Sequence, residues 1–303
     1  MKIALIIICI LLVLLLAAGL ALAFYSTGTH PQSLEAARKW QEDHYDLSWY
    51  DPMEKEEFTV TAPDGYRLWA QRLINPLPAD RSVIISHGYT DNRYGALKYA
   101  KNYLDLGFDV VVYDLRGHGV NARACCTYSV REREDLLAVI RTVRERYPQY
   151  AVLGIHGESL GAATSVACLS KKPPVDFVVA DCGFSEIRSV LAGALKKMHM
   201  PAWMLRIASV WTKLRCGYSY KDMRPIDSLK DNTVPILFFH GTADELIAPS
   251  HSEKMAKETA GPSELHLIKG APHAISVIHA PTEYRECLET FLKKYGMITA
   301  NPS

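Results

Sequence analysis

One junction limits the possible folds more than any other. The apolar run Tyr150–His156 passes without a linker into Gly157-Glu158-Ser159-Leu160-Gly161 and then into a pattern of helical period over Leu160–Leu169. A strand and a helix must therefore meet through a very short turn, and a serine can sit on its crest only if its neighbours carry no bulk at Cβ. Gly157 and Gly161 meet that need. The arrangement lifts Ser159 Oγ from the carboxyl edge of a sheet, which belongs to folds that alternate strands with helices.

The rest of the chain keeps that rhythm. Short apolar runs occur at Ser82–Ser86, Phe108–Tyr113, Phe177–Ala180, Ile236–His240 and Glu264–Ile268, and segments of period 3.6 at Tyr94–Leu106, Arg131–Arg146 and Ser250–Thr259 lie between most of them. The alternation predicts an α/β fold with a mostly parallel sheet and helices on both faces. Ahead of it, Phe58–Thr61 and Tyr66–Ala70 alternate with period two about Pro63-Asp64-Gly65, the pattern of a β-hairpin. The rhythm fails once, over Phe184–Asp231, where no strand-like run occurs and the apolar-basic stretch Leu191–Trp211 carries Met198, Met200, Trp203, Met204, Leu205 and Ile207. A helical insertion is expected at 184–231, either packed on the core or capping a pocket.

Before the hairpin the chain is of two kinds. Ile3–Phe24 is 22 residues without a charge, long enough as a helix to cross a bilayer core of about 30 Å. It reads as a transmembrane anchor over residues 1–24. The alternative is a cleaved signal with Ala21-Leu22-Ala23 as its site, which would release a secreted protein. Lys2 on the short side points the N-terminus to the cytoplasm and leaves the remainder outside the cell membrane. Residues 25–54 form a lead-in with helical spacing at Leu34, Ala37, Trp40 and Tyr45, and residues 55–303 hold the single large domain.

Composition removes other classes. With 34 Lys and Arg against 33 Asp and Glu and 49% hydrophobic residues, the chain is neither disordered nor equipped to bind nucleic acid. Of seven cysteines, Cys9 lies in the apolar run; Cys125, Cys126, Cys168, Cys182, Cys216 and Cys287 lack metal-site spacing and read mostly as buried thiols, with disulfide pairing of some of them outside the cell as the alternative. His87, His156 and His240 each end a strand beside glycine, without acidic companions, and read as tight turns rather than metal ligands. No phosphate-cradling glycine loop is present, and no cofactor or metal is implied.

A serine hydroxyl is a weak nucleophile at neutral pH, so Ser159 needs a base, and the base an orienting acid. Asp244 follows the run Ile236–His240 in His240-Gly241-Thr242-Ala243-Asp244-Glu245, and His273 stands in Lys269-Gly270-Ala271-Pro272-His273 after the next run. These two are the expected acid and base, with Asp181 and Glu245 as competitors for the acid. Asp114, ahead of the serine strand, is expected to play a structural hydrogen-bonding part. An oxyanion needs preorganised donors: the N–H of Leu160, after the nucleophile, and that of Tyr89 in the loop His87-Gly88-Tyr89-Thr90. Tyr89 has two other possible uses, as a pocket wall or as a hydroxyl donor.

Over nearly all of 55–297 these motifs, with Asp114-Leu115-Arg116-Gly117-His118-Gly119, resemble the α/β-hydrolase superfamily. More narrowly they are similar to its membrane-anchored or exported bacterial group of serine-aminopeptidase-like and dienelactone-hydrolase-like proteins. The resemblance implies Ser159 as nucleophile, Asp244 as acid, His273 as base, Tyr89 and Leu160 as oxyanion donors, and a variable cap after Ala180. The chain departs from it at Val120–Cys126, where many relatives carry a Ser-Gly or acidic stretch. The expected function is a serine hydrolase of acyl esters, with short peptides as the alternative substrate and a non-catalytic, membrane-tethered binding protein as the rival.

Overall fold

A computed structural model describes residues 1–299; residues 300–303 of the expected domain lie outside the described residues. Its strands are β1 (Lys55–Thr61), β2 (Arg67–Leu73), β3 (Arg81–Ser86), β4 (Asp109–Tyr113), β5 (Val152–Glu158), β6 (Phe177–Asp181), β7 (Ile236–Gly241) and β8 (Ser263–Ile268). They form one sheet in the order β1-β2-β4-β3-β5-β6-β7-β8. The period-two hairpin makes the antiparallel edge, β1 with β2 and β2 with β4, and the remaining neighbours are parallel.

The helices are α1 (Lys2–Thr27), α2 (Leu34–His44), α3 (Leu97–Asp105), α4 (Glu132–Arg146), α5 (Leu160–Cys168), α6 (Ile187–Lys197), α7 (Met204–Cys216), α8 (Ser250–Glu258), α9 (Ser276–His279) and α10 (Pro281–Lys294). Successive strand residues feed two separate cores. Ile84, Val111, Ile155, Val178 and Phe238 pack with α4 and α5, while Val83, Val110, Val112, Val179 and Phe239 pack with α3 and α10. Both sheet faces are thus buried, which is why the central strands read as unbroken apolar runs. The chain leaves β3 for β4 on one side and then crosses to β5 on the other. This reversal of strand order opens a crevice above the carboxyl ends of β3 and β5, the usual ligand position in such sheets.

The apolar N-terminal run and the three residues after it form one continuous helix. Its first half is bare, with Ile3, Leu5, Ile8 and Leu11 all exposed. Its last turns are not: Ala23 and Thr27 are fully buried, Ile207 of α7 packs on Gly19, and Trp211 Nε1 donates to the Leu16 carbonyl at 3.1 Å. The lead-in also lies against the body. Ser33 caps α2 by accepting from Ala36 N at 3.1 Å, and Gln32 N donates to the Thr90 carbonyl at 2.8 Å. In the insertion, α6 and α7 are followed by a short helical turn, Pro225–Ser228. Leu195, Leu205 and Ala208 join the core, while neighbouring residues roof a cavity.

Candidate active site

Ser159 is the hinge between β5 and α5, with φ +52° and ψ −110°. The close approach expected of the glycines is real. A Cβ on Gly157 would stand 2.1 Å from the Gly161 carbonyl oxygen, and one on Gly161 2.1 Å from that of Ser86. Backbone bonds hold the crest, Ser159 N donating to the Asp181 carbonyl at 2.8 Å and Ala163 N to that of Ser159 at 3.0 Å. Other non-glycine residues with positive φ gather around it: Thr90 (+66°), Cys182 (+48°) and Ala274 (+61°). Strained backbone of this kind persists only where surrounding contacts over-determine it.

His273 reaches Ser159 from the loop after β8. Its Nε2 accepts from Ser159 Oγ at 3.0 Å, and its Nδ1–H donates to Asp244 Oδ2 at 2.6 Å. Asp244 is fixed in turn: its Oδ1 accepts from the N–H groups of Leu246 at 2.9 Å and Ile247 at 2.8 Å. His240 Nε2–H, which donates to the Ile247 carbonyl at 2.8 Å, lies 3.2 Å from Asp244 Oδ2. Burial pushes the Asp244 carboxyl up, but hydrogen bonds from His240 and His273 outweigh it and hold the group well below the usual carboxylate range. It stays an anion at neutral pH.

The competing acids point elsewhere. Asp181 is fully buried beneath the crest, its Oδ2 lying 3.2 Å from the Tyr99 hydroxyl, and burial beside Glu158 pushes it up to about 6. Glu245 is exposed and faces Lys197 at 3.6 Å. Asp114 accepts from Arg93 N at 2.9 Å and Val120 N at 3.0 Å and pairs with the Arg93 guanidinium, a structural use.

The N–H groups of Leu160 and Tyr89 have no protein acceptor among the described residues, so both are free to donate. The Tyr89 hydroxyl is already committed to the Gly28 carbonyl, which excludes it as the oxyanion donor and leaves the ring as a wall. Ser159 stands between two cavities that share Tyr89. One, of about 350 Å³, is apolar and is bounded by Leu22, Phe184, Val190, Leu191, Ala194 and Met198. The other, of about 240 Å³, is the more polar of the two and is bounded by Gln32, Trp40, Gln41, Asp91, Lys98 and Glu158.

His87, His156 and His240 do not converge, and His156 lies inside β5 rather than at its end. His87 is held between the Gly88 carbonyl and Leu115 N, His156 bonds the Tyr103 hydroxyl, and His240 serves Asp244. Cys182, Asp244 and His273 have ligand atoms within 4.8 Å of one another, but Asp244 and His273 are spent on each other and on Ser159, so the set suits proton transfer rather than an ion. Sequence reasoning missed the buried pair Lys98–Glu158 and the support from His240. A signal for the pair was present, because a carboxylate between Gly157 and the serine at a packed turn is driven inward and demands a cation. Nothing in the sequence pattern linked either the α1 residue Leu22 or the lead-in residues Gln32 and Gln41 to this crevice.

A family model described as serine aminopeptidase, S33, matches residues 78–227. The Bacillus subtilis protein YqkD is 32% identical over 247 residues, which span 80% of this chain and 81% of that protein. The chain belongs to the α/β-hydrolase superfamily. Within it the chain is of serine-hydrolase type. Among solved structures, an esterase of Pyrococcus furiosus superposes with a TM-score of 0.66 at 23% identity, covering 80% of this chain and 92% of that one. The acylaminoacyl peptidase of Pyrococcus horikoshii superposes at 0.63 with 15% identity, over 83% of this chain and 43% of that one. Both likenesses concern the fold, the hydrolase sheet with its helices around it.

Proposed function

We propose that this α/β hydrolase cleaves carboxylic esters of apolar acyl groups through an acyl-enzyme on Ser159, with residues 3–24 as an uncleaved membrane anchor and the domain 55–303 outside the cell. The observation that carries the reading is the unbroken chain Ser159–His273–Asp244, at 3.0 and 2.6 Å.

Ser159 Oγ attacks the ester carbonyl carbon as its proton passes to His273 Nε2. Asp244 holds the imidazole with Nδ1–H toward itself and stabilises the imidazolium that forms. The carbonyl oxygen, now negative, is bound by the N–H groups of Leu160 and Tyr89. The tetrahedral centre collapses, the C–O bond to the alcohol breaks, and the alcohol leaves with the proton from His273. Water then adds to the acyl-enzyme with His273 again as base, releasing the acid and restoring Ser159. No cofactor enters any step.

The apolar cavity beside Ser159 supports an acyl group there, and the polar cavity supports a hydrophilic alcohol on the other side. Peptide cleavage is the second reading. It is supported by the name of the matching family model and by Asp91 in the polar cavity, a carboxylate suited to a peptide's ammonium group. The anchor is supported by the burial of Ala23 and Thr27, since release after Ala23 would strip Leu22 from the cavity wall. Rates on p-nitrophenyl esters of increasing chain length, measured beside aminoacyl-anilides, test the substrate class. Faster turnover of medium-chain esters than of any anilide is expected, and the reverse order would favour the peptidase.

A further inference from the structure

We infer that α7 is a bilayer-docking helix, and that the apolar cavity takes the chain of a single-chain lipid ester directly from the outer leaflet. The substrate half of this inference rests on the acyl-hydrolase reading above; the docking half does not.

A helix that is apolar on two opposite sides, with basic residues such as Arg206, Lys213 and Arg215 between them, is expected to be covered on both. Helix α7 buries Leu205, Ala208 and Thr212 against the domain, yet its opposite side carries Ile207, Val210, Trp211 and Leu214, and its N-cap Trp203 continues that stripe at helical spacing. Of these, Trp203, Val210 and Leu214 are 50%, 61% and 72% exposed. Water is a poor partner for such a stripe. The stripe is continuous with the bare helix α1: Leu16 joins Ile207, Val210, Trp211 and Leu214 in lining a groove of about 380 Å³ between the two helices.

The depth fits a leaflet boundary. About 20 helical residues cross the hydrocarbon, so a span that begins at Lys2 runs out close to Gly19, where Ile207 packs. Charge agrees as well. From Ile187 to Lys221 the chain has seven Lys and Arg residues and no acid, as expected of a helical surface resting on anionic headgroups.

The entrance follows from the same contacts. Leu22 of α1, Val190 and Ala194 of α6 and Met198 just after it bound the cavity that ends at Ser159. Met198 and Leu246, at its rim, are both exposed. A chain leaving the leaflet between α1 and α6 meets a mainly apolar wall on the way to the serine. Its volume, about 350 Å³, sits near the bottom of the roughly 300–1,000 Å³ range of ligand pockets, so it holds one chain and not two. The polar cavity on the far side of Ser159 then receives the headgroup.

Full-length protein in vesicles of equal parts phosphatidylcholine and phosphatidylglycerol provides the test. Trp203 fluorescence, taken as the difference between wild type and Trp203→Phe, should be quenched by brominated acyl chains. An unquenched Trp203 overturns docking, whatever the activity. In the double variant Val210→Glu, Leu214→Glu, turnover of palmitoyl-lysophosphatidylglycerol in the vesicles should fall about tenfold or more relative to soluble p-nitrophenyl butyrate, a loss on the order of 1.4 kcal/mol. Retained turnover of the soluble ester shows that the variant is folded. An unchanged ratio overturns entry from the leaflet. A wild type that is quenched but cleaves neither ester overturns the hydrolase reading and the substrate half with it, and leaves docking standing.

Discussion

Lys98 Nζ donates to the Ala274 carbonyl at 3.0 Å while pairing with the Glu158 carboxylate. One buried ammonium therefore ties the residue before the nucleophile to the residue after the base. Burial alone would push this group down, but Glu158 and Asp91 outweigh it and hold it above its ordinary value. Replacing Lys98 by Met leaves Glu158 buried without its cation, and such losses cost about 3–5 kcal/mol. Lys98→Met should lower the denaturant midpoint and also reduce kcat more than it raises KM, because His273 loses its tether. Lys98→Met with Glu158→Gln should recover much of the stability and little of the kcat. Recovery of both together would make the pair purely structural.

Asp244 and Asp181 should differ sharply in their response to amidation. Asp244→Asn removes the anion that holds the His273 tautomer, and a fall in kcat of about 10³–10⁴ is expected by analogy with other Ser-His-Asp sites. Asp181→Asn leaves the path from Ser159 to His273 intact and should cost less than about tenfold. Equal losses in steady-state assays would contradict the assignment of the acid. His240→Phe, which removes a donor from Asp244 Oδ2, should fall between them.

The same two carboxyls make opposite contributions to stability with pH. Asp244 has a depressed folded pKa, so its contribution is present above about pH 3.9, the unfolded value, and is lost as pH falls through the folded one. Asp181, pushed up to about 6 by burial and by Glu158, is a folded-state acid that prefers its proton. Its contribution is complete below about pH 3.9 and is lost as pH rises toward 6, with a slope of up to about 1.4 kcal/mol per pH unit. Urea melts at several pH values should show that slope in wild type and its absence in Asp181→Asn. Parallel curves would count against a raised Asp181.

The sheet was legible because both of its faces are covered. Each central strand had to be an apolar run, and each connection had to be a helix of period 3.6. The elbow was legible for a steric reason, since Gly157 and Gly161 flank Ser159 where any Cβ would meet backbone at 2.1 Å. Asp244 and His273 could be placed at strand ends by order along the chain, but not oriented. That depended on Leu246, Ile247 and His240, whose roles come from a turn and not from any periodicity. The cavity walls were the least legible part. Leu22 looks like any other residue of an apolar run, and Gln32 and Gln41 like ordinary polar positions, because contact between distant segments leaves no local pattern.

Helix α1 should persist in the mature protein. Gly19, Ala23 and Thr27 are packed into the body, and Leu22 faces the cavity, so removing residues 1–23 would uncover Ile207 and open the acyl wall. The intact mass of protein purified from membranes should correspond to the uncleaved chain. A mature species beginning at Phe24 would contradict the anchor.

Mass-spectrometric mapping of a fluorophosphonate adduct tests most directly whether Ser159 is activated by His273. The adduct should lie on Ser159 in wild type, disappear in Ser159→Ala, and form at least about 10²-fold more slowly in His273→Gln. A folded wild-type protein that takes no label, or one labelled at another residue, would contradict it.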